Sequence, residues 1–529
     1  MTPRQPVRPA PGPLEAYCQQ FDPLFSQRHQ RASLRRYLEG LLLPQERNKT
    51  LTALANTEPV VGAHHPQAQG LQWFLAESTW DPEVVTQRRV ELLCADPLTA
   101  PTARGVLVID EHGDRKWGDK TAHVGRQYLA NLGKTDNGVV SVSSLWADEG
   151  VYYPLHVAPY TPAHHCAQGK ADPQFRTKRQ IAAELVGRAM AAGIPCRAVV
   201  ADNFYGEDEA LRQDLGARGL GYVLALQPSH GWWHRAGTIG SLQEAVAAAP
   251  WGGADHPGAW VPVQRRFRDG HTETWWVLEV EAGPYGPQKP QRVLVATTDP
   301  RTLPTLSPWY LSTNLPAPGT EPAALSTLAS ADAAEVVRLY GLRMWVEQSY
   351  KQTKYALGWS EYQVRSALAI RRHWALVCCA FAFCWYNHSQ QSSGSTLAPA
   401  PREERRDPAP AALFPGPAPA AAAGRGENQR HALPAAAPAV VAGGATGGAG
   451  VAGALDHAVA LLARLVGTTP TAPTMRVACC TVARTRHLPL YPAMTTPYVN
   501  KVPLAPAAKR AWQTSTPEGA TDAPRQASL

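Results

Sequence analysis

At 529 residues the chain can hold more than one hydrophobic core, and nine cysteines without CxxC spacing exclude a disulfide framework as its source of stability. The formal charge is +8, but residues 390–529 alone carry 13 Lys+Arg against 7 Asp+Glu, so global charge does not argue for a nucleic-acid partner. No apolar leader opens the chain, and its most apolar run, WALVCCAFAFCWY at 374–386, is too short to span a bilayer. A cytoplasmic protein with no membrane segment is expected.

Residues 1–100 read as a helical N-terminal region, with helical spacing in LRRYLEGLLL (34–43), GLQWFLAEST (70–79) and EVVTQRRVELL (83–93). Over residues 26–49, Arg28, Arg31, Arg35, Arg36, Arg47 and Lys49 face only Glu39 and Glu46. This basic stripe is either a solvated helix face or a DNA-binding surface whose contacts are Arg31, Arg35 and Arg36. From 101 to 228 the pattern turns to strands: RGVLVIDE, then VVSVSSLWAD and VYYPLHVAPY joined by a tight Glu-Gly turn. Helix and strand then alternate (175–193, 197–202, 208–219, 222–228), which implies a mixed sheet with crossover helices. Residues 229–316, rich in tryptophan, read as a β-rich insertion whose aromatics form a small core of their own or stacking surfaces for bases. Helical sequence resumes over 317–390. Beyond it, 391–529 is an Ala/Pro/Gly/Arg tail expected to be disordered apart from a possible helix at 452–466, and its composition is what GC-rich DNA gives in a shifted frame.

Three acids carry the chemistry. Asp110 ends GVLVID and Asp202 ends RAVVAD, so both carboxylates are expected at strand ends, where sites gather in such sheets. Glu347 lies in YGLRMWVEQSYKQTK, where Tyr340, Arg343, Glu347 and Lys354 are spaced by 3, 4 and 7 residues. At roughly 100° per residue they share an arc of about 60° on one helix. A carboxylate, two cations and a phenol on one face suit a metal ion and a phosphodiester. The bland alternatives are strand-end carboxylates capping turns, a Glu347–Lys351 surface pair and solvated cations at Arg343 and Lys354. Glu111, Asp114 and Asp119 crowd the first acid and are possible substitutes as ligands. His164-His165-Cys166 has soft-metal residues but no second half at suitable spacing.

The ordered acids, the β-rich stretch before the last of them, and the motifs DEHGDRKWGDKTAHVGRQYLANLGK, FRTK (175–178) and VVADNFYG (199–206) resemble the DDE transposases of bacterial insertion sequences. Tyr340-x2-Arg343-x3-Glu347-x6-Lys354 matches the Tyr-Arg-Glu-Lys signature of the subgroup with a β insertion. The resemblance covers roughly 30–390 and implies an α/β, RNase H-like mixed sheet with flanking helices. It further implies that Asp110, Asp202 and Glu347 hold two Mg²⁺ ions, with Mn²⁺ able to substitute, for cleavage and transfer of DNA strands. Arg343 and Lys354 would hold phosphates and Tyr340 the backbone near the cut, on double-stranded element ends joined by a homodimer. The alternatives are a transposase-derived DNA-binding protein without transposition, or a stand-alone Mg²⁺-dependent nuclease.

Overall fold

The computed structural model describes residues 5–44, 47–233, 239–267, 270–280, 292–303 and 308–394; most of the predicted tail, with its possible helix at 452–466, lies outside them. Five helices come first: α1 (Pro13–Gln19), α2 (Arg28–Leu42), α3 (Leu51–Leu54), α4 (Pro66–Ala76) and α5 (Pro82–Ala95). Their starts have local causes. Proline opens α1, α4 and α5, where its missing N–H is not needed, and the Asp81 carboxylate accepts from Glu83 N–H at 2.8 Å.

The sheet begins with β1 (Val106–Arg115), β2 (Gly125–Leu129), β3 (Lys134–Ala147) and β4 (Tyr152–Tyr160). The Glu-Gly turn between β3 and β4 is closed by the Asp148 carboxylate, which accepts from Gly150 and Val151 N–H, both at 2.7 Å. Then follow α6 (Lys178–Ala191), β5 (Ala198–Ala201), α7 (Asn203–Gly206), α8 (Glu209–Ala217) and β6 (Tyr222–Ala225). A Thr177–Gln180 capping box starts α6. Strand β1 pairs antiparallel with β3 and parallel with β5, and β5 pairs parallel with β6, which gives the mixed sheet with crossover helices.

The insertion holds β7 (Gly231–Trp233), β8 (Ile239–Ser241), α9 (Leu242–Ala247), β9 (Val261–Arg266), β10 (Thr272–Val280), β11 (Arg292–Thr297) and β12 (Trp309–Thr313). Only β7 and β8 stand apart, as a two-stranded ribbon. Because β12 pairs with β6, the other four strands continue the main sheet in the order β2-β3-β1-β5-β6-β12-β11-β10-β9. Period-two alternation then splits the aromatics between two cores. Trp275, Val277, Leu294, Ala296 and Leu311 join the main core, whereas Trp260, Leu278, Val293, Val295 and Tyr310 form a smaller one with Trp251 and Trp276 against it. The expectation of a private core for the insertion is therefore half right.

The chain closes with α10 (Glu321–Leu325), α11 (Ala333–Gly341), α12 (Met344–Tyr355) and α13 (Ala367–Gly394). Long and apolar enough to cross a membrane by length and composition, α13 has 83 % of its apolar window buried inside the protein. It packs on α1, α2, α4, α5 and β4, so the N-terminal helices and the sheet share one core. Each fully buried Phe or Leu there, such as Phe381 and Leu376, contributes ~1.5–3 kcal/mol. Buried cations fasten the same seam: Arg372 donates to the Leu75, Ser78 and Trp80 carbonyls, and Arg89 to those of Pro154 and Leu155.

That packing corrects the N-terminal basic stripe. Arg31 and Arg35 are each only 3 % exposed. Arg31 donates to the Phe25, Ser26 and Gln5 carbonyls, while Arg35 bridges Glu15 and Asp22. Lys49 is buried on the Leu41 and Leu43 carbonyls, and Arg36, half-buried, reaches Gln67 at 3.0 Å. In sequence the acids that neutralise Arg35 lie 13 and 20 residues away, which is why the stripe looked uncompensated.

Candidate active site

Parallel pairing does the first piece of assembly. Ile109 lies opposite Ala201 in the β1–β5 ladder, so the next residues, Asp110 and Asp202, are neighbours. Asp202 follows the last residue of β5, as expected, and caps α7 through a bond from Phe204 N–H at 3.1 Å. Asp110 does not end its strand: β1 runs on for five more residues, with Asp110 buried in the middle.

The single signature helix is also corrected. Gly341 ends α11, Leu342 and Arg343 form a turn, and α12 starts at Met344. Leu342 and Arg343 keep right-handed helical angles, so Arg343 and Glu347 still point to one side. Tyr340 stays on α11 with its ring 4.9 Å from that of Trp309. Burial raises its phenol to about 12, which keeps it a hydrogen-bond donor.

Arg343 sits among all three acids. Its Nη2 is 2.8 Å from Asp110 Oδ2 and 3.9 Å from Asp202 Oδ2, and Nη1 is 3.6 Å from Glu347 Oε1. The Glu347 contact is thus made one turn back, to Arg343, and its side chain is 63 % exposed. Three carboxylates exceed one guanidinium in charge. Burial raises Asp110 well above the usual carboxylate range; Arg343 opposes this and the Asp202 charge adds to it. Arg343 Nε is buried with nothing to bond.

Further along β1 the same face continues. Asp110, His112 and Asp114 alternate toward α12, where they meet Arg343, Tyr350 and Lys354 in turn. Lys354 Nζ is 3.4 Å from Asp114 Oδ1, which also takes His112 Nε2 at 3.0 Å. The signature lysine is therefore neither solvated nor among the three acids, but half of an internal pair with Asp114. Asp114 is occupied by those two partners, and Asp119 is 84 % exposed beside Lys120, so neither replaces Asp110 at the cluster. On the opposite face Glu111 takes Lys178 Nζ at 2.7 Å, with Tyr205 behind it. The FRTK motif holds this lysine, but nothing in its spacing points to Glu111, 67 residues earlier.

Hard divalent cations take oxygen ligands, and a surplus of carboxylates round one central cation is a donor set of that kind. Among the described residues no three His, Cys, Asp or Glu side chains stand close enough to hold an ion as they are. The guanidinium occupies the middle of the cluster. The excess negative charge fits a site in which Arg343 gives way to a stronger cation.

A family model described as DDE superfamily endonuclease matches residues 20–283. The chain is also 31 % identical over 361 residues to the probable transposase for insertion sequence element IS701 of Microchaete diplosiphon, covering 68 % of this chain and 84 % of that relative.

Proposed function

The chain belongs to the DDE transposases of insertion sequences, and from that premise we propose that Asp110, Asp202 and Glu347 are the carboxylates with which it cuts and joins DNA. As a DDE endonuclease it depends on a divalent metal; we take the ions to be two Mg²⁺, for which Mn²⁺ can substitute. A divalent cation held there supplies positive charge to the phosphodiester oxygens that become more negative as the bond breaks. The observation that carries the assignment is the meeting of all three acids on the Arg343 guanidinium, from three separate elements.

The protein's own groups have distinct tasks in this reading. Asp110, buried between β3 and β5, fixes the cluster against the sheet, while the exposed Glu347 completes it from α12. With a divalent cation held by the acids, Arg343 would be free to offer its planar fork to a phosphate next to the cut. Tyr340 donates its phenol to the backbone beside it. Lys354 keeps Asp114 and α12 in register along β1, so it acts on Glu347 through the helix. Of Arg31, Arg35 and Arg36, only Arg36 keeps a partly exposed side chain to offer DNA. Two ends have to be joined, so two protomers, each with its own cluster, act on double-stranded DNA in the cytoplasm. A relative described as a transposase favours this over a stand-alone nuclease or an inactive DNA-binding derivative.

Asp110→Asn, Asp202→Asn and Glu347→Gln keep shape and remove the charge that holds a hard cation. Each is expected to lower Mg²⁺-dependent cleavage of DNA flanking the gene on the order of 10³-fold, several kcal/mol of lost stabilisation, with binding of the same duplex unchanged. Near-normal cutting by any one variant removes that residue from the metal site.

A further inference from the structure

We propose that Arg265, on β9 of the insertion, is a phosphodiester-binding residue of the active site, holding the DNA backbone beside the α11–α12 corner. The proposal rests on the active-site reading above for the identity of the anion, but not for the stacked, unpaired guanidinium that would take one.

Arg265 is held as a flat plate. Its guanidinium carbon lies 4.4 Å from the Phe267 ring centre, 4.9 Å from that of Trp275 and 4.7 Å from that of Trp309. Trp309 in turn packs on Tyr340. Against the plate lies Gly341: a Cβ there would stand 2.9 Å from Nη2, 3.2 Å from Nε and 3.3 Å from Cζ. Distances that lengthen from Nη2 to Nε to Cζ place that Cβ above the plane but outside the Nε–Nη2 edge. A side chain at 341, two residues before Arg343, would press on the end of Arg265 and displace it.

The aromatic rings cover the guanidinium but its donors are not used. Among the described residues none accepts a hydrogen bond from Arg265, and none of its nitrogens is fully buried. Glu273 faces it directly across β9–β10, yet that carboxylate takes Trp275 Nε1 at 3.0 Å and lies 3.6 Å from His271 Nε2. Burial lowers the guanidinium to about 10, with Glu273 pulling the other way. Arginines that serve only to fasten this fold behave differently. Arg372 and Arg89 spend their N–H groups on buried carbonyls. A stacked guanidinium with unpaired donors can take phosphate oxygens at little ordering cost. Its place beside Tyr340 and Gly341 makes that phosphate one near the bond being cut.

The test is equilibrium binding of a labelled duplex from the DNA flanking the gene, with EDTA present so that nothing is cut, across a salt series. Arg265→Met keeps length and stacking but loses charge and donors. It is expected to weaken binding about tenfold and to make the slope of log K against log salt shallower by about 0.9, with Tm moving less than about 2 °C. Arg265→Lys should restore the slope and part of the affinity. Gly341→Ala, which pushes the plate off the corner, should lower affinity as Arg265→Met does. An unchanged salt slope for Arg265→Met, with or without a fall in Tm, makes Arg265 a packing pillar and overturns the proposal. The outcome is independent of cleavage, so failure of the carboxylate assignment would appear in the cutting assay and not here.

Discussion

Arg35 and Arg343 both sit between carboxylates, and they differ in how completely they are satisfied. Arg35 gives Nε and Nη2 to Glu15, both Nη groups to Asp22 and Nη1 to the Arg31 carbonyl, at 2.7–3.2 Å. Burial would push Glu15 up, but the Arg35 bonds and charge, together with the Ala10 N–H and Gln19, outweigh it and hold its carboxyl below the usual range. Arg343 has one short bond and two contacts of 3.6 and 3.9 Å, an orphaned Nε and three acids instead of two. Its closest partner, Asp110, is shifted the opposite way, upward. A closed network is structure, whereas an open one with surplus charge is a place for another ligand. Residue type alone does not separate the two.

The largest effect should come from breaking the closed network. Arg35→Met leaves Glu15 and Asp22 without their cation, and loss of one side of such a pair costs about 3–5 kcal/mol. Urea unfolding should show that loss in the midpoint. Cleavage per folded molecule should stay normal, and a selective loss of DNA binding with full stability would return Arg35 to the interface.

A pH profile sharpens the contrast on the N-terminal side. His373 of α13 bonds the Tyr37 hydroxyl of α2 at 2.7 Å, and burial, helped by the Lys116 charge, lowers it to about 4 from an ordinary 6.5. Its folded value is depressed, so the unfolded chain binds the extra proton between the two. Stability is therefore full above about 6.5 and falls as pH drops toward about 4, by ~3 kcal/mol from this residue. His373→Gln should be less stable at pH 7 but lose less on acidification. An acid limb as steep as that of the unsubstituted protein would assign the loss to other groups.

The smallest effect tests the open network. With Arg343 out of the cluster, the carboxylates have no internal cation to exchange, so Arg343→Met should bind Ca²⁺ about tenfold more tightly in the absence of DNA. Calorimetric titration decides it. Weaker binding would mean that Arg343 organises the acids and does not compete for them.

The sequence alone determined the order of acids, the strand-to-helix alternation and the Tyr-Arg-Glu-Lys spacing, because these depend on residues close in the chain or on their order along it. Period-two and period-3.6 patterns placed most strands and helices, including β3, β4 and α6 near their expected bounds. Partners far apart in sequence were decided only by the tertiary structure. Register in the β1–β5 ladder made Asp110 and Asp202 neighbours, and the run of α12 along β1 sent Lys354 to Asp114 and left Glu347 with Arg343. Pairing of β12 with β6 turned a presumed appendage into four more strands of the main sheet and carried Arg265 to Gly341. The basic stripe failed for the same reason: charge is local in sequence, but compensation is local in space. Glu15 and Asp22 reach Arg35 only after α1 and α2 have packed against each other and α13.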